Sequence, residues 1–168
     1  MWFDFARRQV PEQYGWLHRE LIADETTGRL IPRQKSSKND LELAKTHLRN
    51  GDLQAAAVSA RSAFEWKLRN ICENRGVKIH FKFDPDKIKA DDLWAGIVQR
   101  QREREEQRAK GAQAPDFVSP ALETAVETMR STVLNKLSHT GASGLVSSEV
   151  ATAIATVANV LSHDFPKV

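Results

Sequence analysis

Asp52 to Asn74 reads DLQAAAVSARSAFEWKLRNICEN, and its apolar residues Leu53, Ala57, Ala60, Phe64, Leu68 and Ile71 recur at steps of three and four. On a helix of 3.6 residues per turn that spacing builds one continuous buried stripe. Gly76 follows where a helix stop is wanted. Just upstream, Ser37 or Asn39 can cap a helix through Leu41, Ala44 and Leu48, and Asn50-Gly51 ends it immediately before the long helix begins. So short a joint predicts an antiparallel helical hairpin.

The same periodicity extends outward. Asp91 can cap a helix through Leu93, Trp94, Ile97 and Val98, whose continuation from Gln99 to Lys110 carries one alanine as its only apolar residue and is expected to project into solvent. Ser119-Pro120 opens a helix carrying Leu122, Val126, Met129, Val133 and Leu137, which breaks at SHTGASG, residues 138–144. The last helix, capped near Ser147, buries Val150, Ile154, Val157 and Leu161. Only Val77, Ile79, Phe81 and Phe83, alternating with polar residues, suggest an extended segment. Before the bundle, residues 1–24 read as two short helices split at Pro11, the second containing Trp16, Leu17 and Leu21, and residues 25–37 as a connector. The expectation is an all-α helical bundle over residues 37–163 with a short extended insert around 77–83. An N-terminal helical lead and connector (1–36) precede it and a short tail (164–168) follows.

Composition bounds the function. The chain has 168 residues, 40% of them apolar and 28% charged, which suits one domain with a real core. With 25 Lys+Arg against 22 Asp+Glu the net charge is +3, too small to imply a nucleic-acid partner by itself. Cys72 is the only cysteine, so neither an internal disulfide nor a multi-thiolate zinc site can form, and a reducing cytoplasm is the simplest home. The N-terminus MWFDFARRQV has no apolar signal-like core, and VATAIATVANVL (150–161) falls far short of the roughly 20 residues that span a bilayer. No membrane association is expected.

Phosphate-loop, dinucleotide and nucleophile-elbow motifs are absent, and His18, His47, His80, His139 and His163 lack metal-ligand spacing, so neither a cofactor nor a metal is expected. Arg61 and Glu65 stand four residues apart beside the apolar row through Phe64, where the plain reading is an intrahelical ion pair continued by Arg69. His139 ends the helix of TVLNKLSHTG, with Asn135 one turn earlier. An imidazole there either caps terminal carbonyls or serves as a positioned general acid or base. The interleaved charges from Arg100 to Lys110 read as a solvated helix before they read as an RNA groove, and Cys72 as packing before nucleophile.

An Arg-x-x-x-Glu pair on a long helix, then a helix ending in LNKLSHTG and a final amphipathic helix, resembles the HEPN superfamily. Within it the arrangement is similar to the anticodon-nuclease-like domains at the C-termini of ATPases in bacterial defence systems. The resemblance covers residues 38–162. It implies a dimerising helical bundle and a metal-independent endoribonuclease of a defence or toxin-antitoxin system, acting on RNA such as tRNA and working with a partner ATPase or antitoxin. The matching catalytic positions are Arg61, Glu65 and His139, with Asn135, Arg69 and Arg130 as substrate-binding or orienting residues. The family's commoner signature places an Arg a few residues before the His, whereas here Leu134 precedes Asn135 and the nearest upstream Arg is Arg130. The alternative implied by that departure is a catalytically inactive HEPN-like module that dimerises and regulates a partner ATPase or toxin. A tetratricopeptide-like hairpin around Asn50-Gly51-Asp52 ranks lower, because no second copy of it is present.

Overall fold

The structure is a computed structural model that describes the backbone of residues 19–23, 30–34, 36–79, 88–139 and 144–167, with side chains at 36–79, 88–137 and 144–167. Its order is a hairpin, β1 (Arg19–Ala23) and β2 (Leu30–Gln34), followed by α1 (Ser37–Arg49), α2 (Leu53–Asn74) and α3 (Ala90–Ala109). Then come α4 (Pro120–Met129), a π-helical turn (Arg130–Leu134), α5 (Asn135–His139) and α6 (Ser147–Ser162). The fold is an all-α bundle, and among the described residues no helix is long and apolar enough to cross a membrane.

Local chemistry explains most boundaries. Ser36, one residue before the expected caps, accepts from the Asn39 amide at 3.2 Å, and Asp52 accepts from Ala55 at 2.9 Å to open α2. Between them Gly51 takes a positive φ of 78°, the left-handed conformation that lets the chain reverse within a few residues. Ser119 caps α4 by accepting from Leu122 at 3.3 Å, with Pro120 in the first turn. Two expected caps lie elsewhere: α3 begins at Ala90, with the Lys89 amide donating to Asp92 at 2.8 Å, and α6 begins at Ser147 behind Val146, with no side-chain cap.

α2 is the central element, packing on α1, α3, α6, the π turn and α5. Its small residues Ala56, Ala57, Ala60 and Ala63 are buried, as are Phe64 and Leu68. Alanines let neighbouring backbones approach closely, while the larger side chains fill the remaining space. At the lower end Lys67 Nζ donates to Leu161 O at 3.1 Å and Arg75 approaches Asp164 at 3.7 Å, so the C-termini of α2 and α6 lie side by side.

Four expectations need correction. Residues Arg19–Ala23 form a strand rather than a helix containing Leu21. The second lies in the expected connector 25–37, where Leu30–Gln34 form a strand paired antiparallel with Arg19–Ala23; Ile22 stands opposite Ile31 and Leu21 opposite Pro32, and β-branched pairs of this kind favour a sheet while Pro32 blocks helix continuation. Trp16, Leu17 and the rest of residues 1–18 lie outside the described residues. Of the 77–83 segment only 77–79 are described; they are non-helical, with Val77 buried and Lys78 exposed. Their path is permitted by Gly96, where a Cβ would come 2.7 Å from Lys78 O.

The third correction concerns the charged half of α3, which does not project freely into solvent. Gln101 and Arg104 are buried and tie the connector 111–120 to the bundle. Gln101 Oε1 accepts from the Phe117 and Val118 amides at 2.6 and 3.2 Å, while its Nε2 donates to Glu105 and Asp116. Arg104 donates to Pro115 O at 2.9 Å and Lys167 O at 3.1 Å and lies over the Phe117 ring. The fourth is the π turn. It inserts one extra residue into the expected single helix, so that Val133 and Leu134 are both buried. Residues 164–167 belong to the packing as well, since Phe165 is buried edge-on against Phe117.

Two substitutions test this packing. Gly96→Ala should destabilise the fold by about 1–3 kcal/mol through overpacking against Lys78, outweighing the roughly 1 kcal/mol gained in helix propensity. Gln101→Ala should cost about 2–4 kcal/mol, because the Phe117 and Val118 amides lose their acceptor in a buried setting. Urea unfolding of both variants gives the values, and neutral or stabilising results would contradict the packing described.

Candidate functional site

Arg61 and Glu65 meet as their spacing predicts. Arg61 Nε donates to Glu65 Oε1 at 2.8 Å, and the two side chains are 33% and 32% exposed. They occupy one flank of α2, beside the buried Phe64 and Leu68, where solvent still reaches both. A pair at this depth is screened less than a surface pair, yet its charges have not lost their water altogether. The helix fixes both Cα positions, so the guanidinium is held by Glu65 rather than by a mobile loop.

His139 is the last residue of α5, and its side chain lies outside the described residues. α5 and the π turn both pack on α2, so the backbone carrying His139 belongs to an element adjoining the one that carries Arg61 and Glu65. Asn135 opens α5 and is exposed. Next to it Lys136 donates to Glu149 at 2.7 Å and to Gly144 O at 3.2 Å, tying α5 to the first turn of α6.

The remaining two arginines are engaged in holding the fold. Arg69 donates to Ile88 O at 3.1 Å, anchoring the chain as it returns to α3. Arg130 spans two carboxylates: Nη1 contacts both Glu127 oxygens at 2.7 and 2.9 Å, while Nε and Nη2 reach Asp91 Oδ1 at 3.1 and 2.8 Å. Glu127 also accepts from Trp94 Nε1 at 2.8 Å. Asp91, expected as a helix cap, is thus one end of a bridge between α3 and the start of the π turn.

Cys72 is buried, and burial, reinforced by Glu73, pushes its thiol up to about 12. Its Sγ lies 3.8 Å from Leu93 O, a packing position rather than a nucleophile's. Trp94 is buried and stacks at a tilt on Phe64, with ring centroids 6.3 Å apart. Among the described residues no three His, Cys, Asp or Glu side chains come together as metal ligands.

One feature escaped the sequence reading. The C-terminal ends of α2 and α6 enclose a groove of about 420 Å³ that includes Lys67, Asn70, Asn74, Arg75, His163 and Lys167. Lys67, Asn70 and Asn74 follow one another at helical steps, but only the return of residues 163–167 across the bundle completes the groove. No local motif announces it.

Native protein should therefore leave Cys72 unlabelled by iodoacetamide at neutral pH, and labelling should appear on unfolding; rapid labelling of the folded chain would contradict its burial. The chain matches no family model, no curated protein and no solved structure.

Proposed function

We propose that the chain is a HEPN-like, metal-independent endoribonuclease of a bacterial defence or toxin-antitoxin system, acting on RNA such as tRNA as a cytoplasmic homodimer. The observation that supports this reading is the partly exposed Arg61–Glu65 pair on α2, in an element packed against the π turn and against α5 with its terminal His139. π turns inside α-helices are frequent at functional sites, and this one directly precedes the short helix of Asn135 and His139.

The chemistry requires no cofactor. A ribose 2′-hydroxyl attacks the adjacent phosphate, the P–O5′ bond breaks, and the products are a 2′,3′-cyclic phosphate and a 5′-hydroxyl. His139 exchanges the proton with the attacking or leaving oxygen, since imidazole titrates near neutral pH. Arg61 stabilises negative charge developing on the phosphoryl oxygens. Glu65 orients Arg61, and Asn135 binds substrate or orients His139. Arg69 and Arg130 support this arrangement indirectly, through the Ile88 carbonyl and the Asp91–Glu127 bridge.

The engagement of Arg69 and Arg130 in internal contacts also favours a second reading, in which a related but inactive module dimerises and regulates a partner ATPase or toxin. Activity separates the two. Purified protein incubated in EDTA with tRNA, and separately with mixed RNA, should yield fragments ending in 2′,3′-cyclic phosphate. Arg61→Ala and His139→Ala should each slow cleavage by about a hundredfold or more. Cleavage that requires Mg²⁺ or survives His139→Ala would rule out the mechanism, and no cleavage by folded protein would leave the regulatory module as the better account.

A further inference from the structure

We infer that the groove between the C-termini of α2 and α6 is a binding site for a tetrahedral oxyanion of the phosphate class. This inference is independent of the ribonuclease reading, since the groove contains none of the residues assigned to cleavage.

Lys67, Arg75 and Lys167 bring three cationic side chains to the groove, and His163 adds an imidazole ring. Among the described residues Asp164 is the only carboxylate lining the groove; it is 97% exposed and 3.7 Å from Arg75, so water screens most of its effect. Part of the cationic excess has a plain structural use. α2 and α6 both end at the groove, each helix terminus carries about half a negative charge, and Lys67 donates to one of the terminal carbonyls, Leu161 O. After both termini and Asp164 are counted, the described residues of the groove retain an excess of about one positive charge.

The remaining cations are crowded. Burial, followed by the neighbouring Arg75, holds the Lys67 ammonium below the usual lysine range despite the opposing pull of Asp164. An anion seated between Lys67 and Arg75 relieves that repulsion, which a further helix cap would not. Donor types also suit an oxyanion. The Arg75 guanidinium offers a planar fork and the two ammonium groups offer point charges, while the Asn70 amide adds a neutral donor and Asn74 Nδ2, which donates to Asn70 O at 3.0 Å, has one further N–H.

The wall opposite α2 is fixed in advance. Phe165 is buried against Phe117 at 5.4 Å between ring centroids, His163 Nε2 lies 3.2 Å from Phe117 O, and Arg104 donates to Lys167 O. Binding therefore costs little ordering of the chain. A groove of about 420 Å³ also exceeds what one phosphoryl group fills, leaving room for a substituent. Both free phosphate and a phosphodiester of RNA present the required chemistry.

The test is a titration of the ¹⁵N-labelled full chain with inorganic phosphate at constant ionic strength, balanced with chloride. Backbone amide signals of residues 67–75 and 163–167 should shift and saturate with a roughly millimolar dissociation constant. The double variant Arg75→Gln/Lys167→Gln retains Lys67 and the packed tail. Its spectrum should match the wild type outside the groove, and its affinity should fall about tenfold or more. A parallel titration with a single-stranded RNA dodecamer distinguishes the sources. Shifts of the same signals, reversed by phosphate, assign the site to RNA backbone; unmoved signals alongside phosphate binding assign it to a small phosphate-bearing ligand. Absence of saturable phosphate shifts, equal shifts with chloride alone, or unchanged affinity in the double variant would overturn the inference.

Discussion

Phe64 and Trp94 meet where α2 crosses α3, and both rings are fully buried. Burying side chains of this size contributes about 1.5–3 kcal/mol each, and a tilted aromatic pair adds about 0.5–1.5 kcal/mol. The contact also transmits order outward. Trp94 Nε1 reaches Glu127 on α4, Glu127 holds Arg130 at the head of the π turn, and Arg130 returns to Asp91 at the start of α3. One apolar contact and one chain of charge-assisted hydrogen bonds thus set α2, α3 and α4 relative to each other. The Arg61–Glu65 flank begins one turn before this crossing, and the chain leading to His139 begins at its far end.

α3 plays two parts along its length. Its first half contributes apolar side chains to the core, and its second half acts as a polar strut. Gln101 satisfies two buried backbone amides of the connector, and its own amide group donates to Glu105 and Asp116. That hydrogen bond, followed by the Arg108 guanidinium at 2.6 Å, holds the Asp116 carboxyl below the usual carboxylate range. Arg104 carries the arrangement on to the C-terminal residues, which it fixes through Lys167 O. The cationic groove at the end of α2 consequently depends on Arg104, which stands 63 positions before the Lys167 it holds.

The helical bundle was legible because its signal is local. The stripe through Phe64, the Asn50-Gly51 reversal and the Ser119-Pro120 start each act within a turn or two of chain. The hairpin β1–β2 carries no comparable signal, since five-residue strands have too few positions to distinguish a period of 2 from one of 3.6. Gln101 and Arg104 were missed because apolar patterning cannot show a buried polar residue whose partners come from a later loop. The π turn escaped for a similar reason: one inserted residue alters which side chains are buried without altering composition. At the candidate site, the Arg61–Glu65 pair followed directly from i,i+4 spacing. Its relation to His139 depends on how α4, the π turn and α5 pass across α2, which no spacing within a helix specifies.

The proposed ribonuclease mechanism requires one arrangement, in which α2 offers Arg61, steadied by Glu65, to a phosphate that His139 approaches from the adjoining α5. The most direct measurement is a crystal structure of the full chain with an uncleavable RNA oligomer bearing a 2′-deoxy substitution at the scissile nucleotide. In the proposed mechanism the scissile phosphate should lie within hydrogen-bonding distance of both the Arg61 guanidinium and the His139 imidazole, within one protomer or across the proposed dimer. RNA bound away from α2, or a His139 ring directed away from the phosphate held by Arg61, would contradict it.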